Sequence, residues 1–196
     1  MAVLDWRGPD RGLTLTGEGV KLRPPRITDH AAWSELRMRS RDFLQPWEPT
    51  WPSDDLTRSA FRRRLAAYSR DIDLDQAYPL FIFRARDEAL VGGITLSNVR
   101  RGVAQMASVG YWIGQPHVRK GHMLAAVKTI APFAFQRLGL HRLEAACIPE
   151  NAPSRELLLK VGFRLEGEAR AYLKINGVWR DHLLFGMLAG DIVPGS

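Results

Sequence analysis

Between Tyr111 and Met123 an apolar stretch runs into a basic, glycine-containing loop and then into a helix-forming segment. A strand, loop and helix in that order suit a phosphate. The first amides of a helix have no partner inside it, the helix dipole is positive there, and a glycine lets backbone approach an anion closely. Within this window Gly121 supplies the permissive position, Arg119 and Lys120 add charge, and His122 opens the helix. Neither the Walker pattern nor G-x-G-x-x-G is present, so the stretch alone fits an ordinary basic loop equally well.

A second group of residues could recognise a cation. Trp47, Glu48 and Trp51 fall among Pro46, Pro49 and Pro52, a run too irregular for the middle of a helix. Aromatic rings there could wall a site in which Glu48 holds an ammonium, or they could cover the core beneath a long loop. Trp33, Trp112 and Trp179 read as core. Arg58, Arg62, Arg63, Arg64 and Arg70 gather positive charge on one segment. That is a solvated face or an RNA contact, though no base-stacking aromatics interleave them. Ser154 heads a predicted helix, where a serine caps well. Cys147 reads as buried packing. The five histidines show no metal-ligand spacing with Cys or carboxylates, so no metal is expected.

Periodicity shows the elements that must position these groups. Val20 and Leu22 alternate with polar residues as a short strand. Thr28 and Asp29 offer a cap for a helix with Ala32, Trp33 and Leu36 near helical spacing. Ser53 and Asp54 offer another, for a helix with Phe61, Leu65, Tyr68 and Ile72 at steps of three and four. From Leu80 to Gly114, aromatic and β-branched runs broken at Asp87-Glu88 and at Arg100 to Gly102 predict three consecutive antiparallel strands. A helix from Gly121 to Leu138 follows, kinked or shortened by Pro132. After it come a strand over Arg142 to Ile148, a short helix over Ser154 to Val161, and two strands turning at Asn176-Gly177.

At 196 residues the chain corresponds to one domain, with residues 1–18 read as a loosely ordered extension. Hydrophobic residues at 45% and charged residues at 25% exclude a disordered or fibrous protein. No stretch approaches the roughly 18 apolar residues of a membrane span. The amino terminus, with Asp5, Arg7 and Asp10, lacks the apolar middle of a secretion signal. A single cysteine cannot form an internal disulfide, and a cytoplasmic location is expected. The net charge of +7 favours anionic partners, whether a phosphorylated cofactor, nucleic acid or an acidic protein surface.

With these residues in view, the sequence resembles the GNAT superfamily of acetyl-coenzyme A dependent N-acetyltransferases from about Val20 to Leu188. The family's pyrophosphate loop reads Gln/Arg-x-x-Gly-x-Gly/Ala. The matching window is Val118 to Met123, where Gly121 fits while Val118 and Met123 replace a polar and a small residue. A series of ordered phrases is similar to the Rim branch, above all to enzymes that acetylate the amino-terminal alanine of a small-subunit ribosomal protein, a branch that also contains enzymes for other peptides, amino acids and polyamines. The phrases are Phe43 to Pro49, Ser97 to Val99, Gly110-Tyr111, Ile113 to Gln115, His141-Arg142, Pro149 to Asn151, Val161 to Phe163, Glu166-Gly167 and Gly177 to His182. The resemblance implies an α/β fold: a mixed, mostly antiparallel twisted sheet flanked by helices. Its central strands, one ending near Gly114 and one starting at Arg142, would splay apart to admit a pantetheine arm.

The resemblance also implies acetyl-coenzyme A as co-substrate, held by Trp112, Ile113, Val118, Arg119, Lys120, Gly121, His122, Met123, Asn151 and Ser154. Attack of an amine on the thioester builds negative charge on the carbonyl oxygen, which a preset backbone donor stabilises. An amino-terminal ammonium, with a reference pKa of about 7.7 to 8.0, must first lose a proton. Glu166 stands where the branch places a glutamate near the acceptor and is the first candidate base, with Glu48 second. Ser154 corresponds to a serine near the departing sulfur, and Tyr172 is the alternative acid. Trp47, Glu48 and Trp51 would bind the acceptor. The expected reaction is direct transfer, without a covalent enzyme intermediate, to the α-amine of an alanine-starting ribosomal protein. A small-amine acetyltransferase, acting on a polyamine, amino acid or aminoglycoside, and a non-catalytic ribosome-associated binding module remain as alternatives.

Overall fold

The computed structural model describes residues 12–191. The chain opens on β1 (Leu15–Gly17) and β2 (Val20–Arg23), then α1 (His30–Arg39), a single turn α2 (Arg41–Leu44) and α3 (Arg58–Asp73). The predicted meander follows as β3 (Tyr78–Arg84), β4 (Leu90–Arg100) and β5 (Met106–Ile113). Then come α4 (His122–Pro132), β6 (Arg142–Cys147), α5 (Ala152–Lys160), β7 (Arg164–Ile175) and β8 (Val178–Leu188). The strands make one sheet in the order β1-β2-β3-β4-β5-β6-β8-β7. Every pairing is antiparallel except β5 with β6. A parallel pair needs a crossover, and α4 is that crossover. No helix among the described residues is long and apolar enough to cross a membrane.

Helices cover both faces of the sheet, which is why Tyr78 to Phe83 are buried without alternation. On one face α4 and α5 pack Met123, Ala126, Val127, Ile130 and Leu158 against Val109, Leu143, Ala145 and Phe185. On the other, α1 and α3 pack Trp33, Leu36 and Phe61 against Phe81 and Phe83. The Trp33 and Phe61 rings lie 4.8 Å apart, and full burial of such a ring stabilises by roughly 1.5 to 3 kcal/mol.

Several expectations need correction. Of the extension expected over residues 1–18, residues 1–11 lie outside the described residues; beyond them Leu13 and Leu15 are buried and Leu15–Gly17 adds a strand to the sheet edge. Asp29 does not cap α1 with its side chain. Its carboxylate takes a bidentate pair from Arg23 and the amide of Arg26 instead. The cap of α3 is Thr57, whose hydroxyl accepts from the Ala60 amide, and not Ser53 or Asp54. Ala32 is exposed, while Arg37 takes a place on the buried side of α1. The helix after Gly121 ends at Pro132 and widens into a turn in which the Leu138 amide reaches the Phe133 carbonyl, because proline has no N–H to continue the regular ladder. Trp179 is 60% exposed and Trp112 half-buried, so of the three tryptophans assigned to the core only Trp33 is fully inside.

Candidate active site

The expected splay is visible in the register. β5 and β6 pair only from Met106–Arg142 to Ser108–Glu144. Beyond that point β5 stays on β4 as far as Ile113, and β6 stays on β8 as far as Cys147. The two central strands therefore hold their outer neighbours while parting from each other. Their facing amides and carbonyls are released from the ladder along the wedge, ready to bind an extended polar arm or to stabilise an oxyanion.

At the mouth of the wedge Gly121, at φ +79°, precedes α4, and Arg119 sits at φ +56°. The loop is tied to α1: the Gln115 amide donates to the Ser40 hydroxyl, and a Cβ on Gly114 would come within 2.4 Å of Leu36. Lys120 donates to the Pro116 carbonyl, and Arg119 is exposed. Met123 is buried in the core and Val118 half-buried, so the two departures from the family loop pattern are side chains that help anchor the loop. The His117 and His122 rings stand 6.5 Å apart. Burial first, then Arg84 and Lys120, hold both below the ordinary histidine value, so both imidazoles are neutral near pH 7.

On the α4 and α5 side, Tyr111, Cys147 and Ser154 converge. Asn151 caps α5, its side chain accepting from the Ser154 amide at 3.2 Å, so Ser154 is not the cap and its hydroxyl is released from that duty. That hydroxyl lies 2.8 Å from the Tyr111 oxygen. Burial pushes the Cys147 thiol up, against a smaller opposing effect of Ser154, so it stays protonated near neutral pH. Tyr111 was not among the sequence candidates. Its signal was alternation, since with Val109 and Ile113 it faces α5.

On the opposite face stand Trp112, Arg37, Glu48 and Trp51. Arg37, only 7% exposed, makes two 2.7 Å bonds to the Glu48 carboxylate, which also accepts from the Trp51 indole at 2.7 Å. The guanidinium lies 4.0 Å from the Trp51 ring centre and 5.0 Å from that of Trp112. The Glu48 carbonyl accepts from the Asn176 amide, so the tip of the β7–β8 hairpin closes onto this loop. Asn176 and Gly177 both have positive φ, as the expected two-residue turn requires. Trp47 is half-buried beside them.

Glu166 is the extra residue of a bulge in β7, where pairing slips between Leu165 and Gly167, and a bulge re-aims a side chain. Its carboxylate reaches across Gly186 to a bidentate pair with Arg142, which also holds Glu144. A Cβ on Gly186 would lie 2.4 Å from Glu166 Oε1, so only glycine leaves this bridge open. Strand alternation puts Arg142 and Glu144 on the Trp112 side, at the paired end of the wedge. The hydrogen bonds from Arg142 hold the Glu166 carboxyl below its ordinary value. Tyr172 is 46% exposed with its ring against His182, and the tyrosine that reaches Ser154 is Tyr111. Past β6 a cleft of about 380 Å³ is lined by Pro149, Glu150, Glu168, Trp179, Arg180 and Asp181.

On α3, Arg63 and Arg64 are paired with Asp54 and Asp55, and Arg64 also lies over Trp33. Part of the predicted basic face is thus neutralised by its own loop. Among the described residues no group of three or more His, Cys, Asp or Glu is placed to hold a metal ion.

Comparison with known proteins agrees with this architecture. The acetyltransferase (GNAT) domain family matches residues 20–164. Over 177 residues the chain is 37% identical to the probable N-acetyltransferase YjcK of Bacillus subtilis, covering 90% of this chain and 98% of that protein. Over 171 residues it is 32% identical to the [ribosomal protein uS5]-alanine N-acetyltransferase of Escherichia coli, covering 86% and 88%. Among solved structures, Mycobacterium smegmatis RimJ in complex with CoA-disulfide superposes with a TM-score of 0.86 at 34% identity, over 93% of this chain and 88% of that one. A parted pair of parallel strands, a basic loop opening the crossover helix, and matches of this extent lead to one conclusion: the chain is an N-acetyltransferase and belongs to the GNAT family, in its Rim branch.

Proposed function

We propose that the protein transfers an acetyl group from acetyl-coenzyme A to the α-amine of a protein amino terminus, an alanine-starting ribosomal protein by its relatives. The observation that carries this reading is the two-sided wedge. Ser154 lies on one face, and on the other an aromatic and acidic wall of Trp51, Glu48 and Trp112 is closed by the β7–β8 hairpin. The pyrophosphate meets the amides of residues 121–123 with Arg119 and Lys120, and the pantetheine runs along the released edges of Trp112 and Ile113, with Asn151 beside it. The amine enters from the Trp112 side.

Glu166 then accepts a hydrogen bond from the ammonium or from a water that carries its proton away. The nitrogen lone pair attacks the carbonyl carbon, a strand amide stabilises the oxyanion, and the C–S bond breaks with its electrons on sulfur. Ser154 donates a hydrogen bond to the departing thiolate. Glu48, committed to Arg37 and Trp51, builds the wall and does not move protons. The cleft with Glu150, Glu168 and Trp179 offers room for residues after the first. Cytoplasmic presentation on an assembling ribosomal particle would set the exposed Arg58 and Arg62 toward an anionic surface.

Two measurements test this. Acetyl-coenzyme A should bind in calorimetry and stabilise the fold by about 2.7 kcal/mol at 100 times its dissociation constant; no binding at millimolar ligand removes the co-substrate. Coenzyme A release should be fastest with an Ala-starting peptide and at least about tenfold slower with a Leu start, as a filled pocket discriminates by about 1 to 3 kcal/mol. Acetyl-blocked Ala should be inert. Equal efficiency on Ala and Leu starts, or spermidine as the best acceptor, overturns the peptide reading in favour of a small amine.

A further inference from the structure

We infer that Tyr111 is a positioning residue for the departing thiolate, acting through Ser154. The inference rests on the proposed role of Ser154 and goes one residue beyond it. The wedge opens after Ser108 and Glu144, and Tyr111 on β5 and Cys147 on β6 each lie three residues further on, on either side of the gap. Ser154, from α5, reaches Tyr111 at 2.8 Å across the face of the gap. The Tyr111–Ser154 pair therefore lies beside the stretch where the two strands no longer pair.

The direction of the hydrogen bonds follows from the chemistry of each partner. Burial drives the Tyr111 phenol well above the ordinary tyrosine value, only partly countered by Ser154, so it stays a neutral donor at any working pH. A phenol that keeps its proton can donate it to the Ser154 oxygen. The serine proton is then left for another acceptor, and the sulfur of a thioester lying in the wedge is that acceptor. The Asn151 cap fixes the other end of Ser154 through its amide, so the side chain is held at both ends. Without Tyr111 the hydroxyl keeps three staggered positions, of which one serves the sulfur.

The reaction balances without a proton leaving either hydroxyl. The ammonium and the thioester give the amide, coenzyme A thiol and one proton: the amine loses two protons, one reaching the thiolate through solvent and one released. Ser154 and Tyr111 only donate hydrogen bonds as charge builds on sulfur, and donors in series strengthen one another.

Three variants, Tyr111→Phe, Ser154→Ala and both together, are compared for kcat with an Ala-starting peptide, for acetyl-coenzyme A affinity by calorimetry, and for melting temperature. Ser154→Ala should lower kcat by about tenfold to a hundredfold, the loss of one hydrogen bond to a developing charge. Tyr111→Phe should lower kcat by about three- to tenfold while affinity stays within about twofold. In the Ser154→Ala background it should have no further effect, because its route is gone. A purely structural tyrosine instead gives independent, multiplying losses or a loss of affinity, and either result overturns the inference. An unimpaired Tyr111→Phe beside an impaired Ser154→Ala overturns it alone, leaving the serine's role standing. An unimpaired Ser154→Ala removes both.

Discussion

Arg37→Ala is expected to melt about 6 to 12 °C below the parent, from a loss of about 3 kcal/mol at about 2 to 4 °C per kcal/mol in a chain of this size. Few surface ion pairs carry that weight. This one differs because the guanidinium is almost wholly buried, makes both bonds of a bidentate pair, and lies against the rings of Trp51 and Trp112. Removing it leaves the Glu48 carboxylate without its charge partner in a half-buried site, and that uncompensated charge dominates the cost. Water reaches part of Glu48, which keeps the loss at the lower end of the roughly 3 to 5 kcal/mol range for broken buried pairs. Trp51 loses its stacking partner in the same step, so KM for the peptide should rise while acetyl-coenzyme A affinity holds. Arg37→Lys should fall between, since an ammonium keeps the charge without the planar fork. A melting temperature within about 2 °C of the parent in Arg37→Ala would show that the acceptor wall does not depend on this pair.

Sequence reading found the local features and missed those made by chain segments far apart. The β3 to β5 meander and the Asn176-Gly177 turn are written in neighbouring residues. So is the Phe61, Leu65, Tyr68, Ile72 spacing of α3, although its cap lay at Thr57 because the preceding loop spends Asp54 and Asp55 on Arg63 and Arg64. The splay is defined by pairings that stop after Ser108 and Glu144, and no residue type announces a pairing that stops. It entered only through family resemblance. Trp179 is exposed for a related reason: β8 pairs with β6 only from Leu183 onward, so the outer half of the hairpin projects beyond the sheet and exposes both its faces. Within the candidate site, the sequence singles out Ser154 and Glu166 but not their side-chain partners Tyr111 and Arg142. Tyr111 lies 43 residues before Ser154, and Arg142 lies 24 before Glu166. Such partnerships are set by register and by a bulge, not by spacing along the chain.

The pair between Arg142 and Glu166 changes what pH should do. An unpaired Glu166 acting as base predicts that Glu166→Gln is most damaging at acidic pH. In the structure two hydrogen bonds from Arg142 favour the carboxylate, so the Glu166 pKa moves down and the group is already ionised throughout the range above about pH 5. A group that does not titrate there cannot shape the profile there. The acceptor does: its ammonium, at about 7.7 to 8.0, is unreactive, so kcat/KM should rise about tenfold per pH unit from pH 5.5 to 7 and level off above about 8. Glu166→Gln should keep that shape and lie below the parent by a constant factor. A carboxylate of lowered pKa is a weak base, which places this factor near the low end of the usual range for general-base groups, about a hundredfold. Measuring both enzymes with one Ala-starting peptide from pH 5.5 to 9 decides the matter. Parallel curves agree with an ionised, Arg142-held Glu166, whereas curves that converge above pH 7, as the amine becomes free, would mean that Glu166 takes its proton directly from the bound ammonium and that the ion pair opens when the acceptor binds.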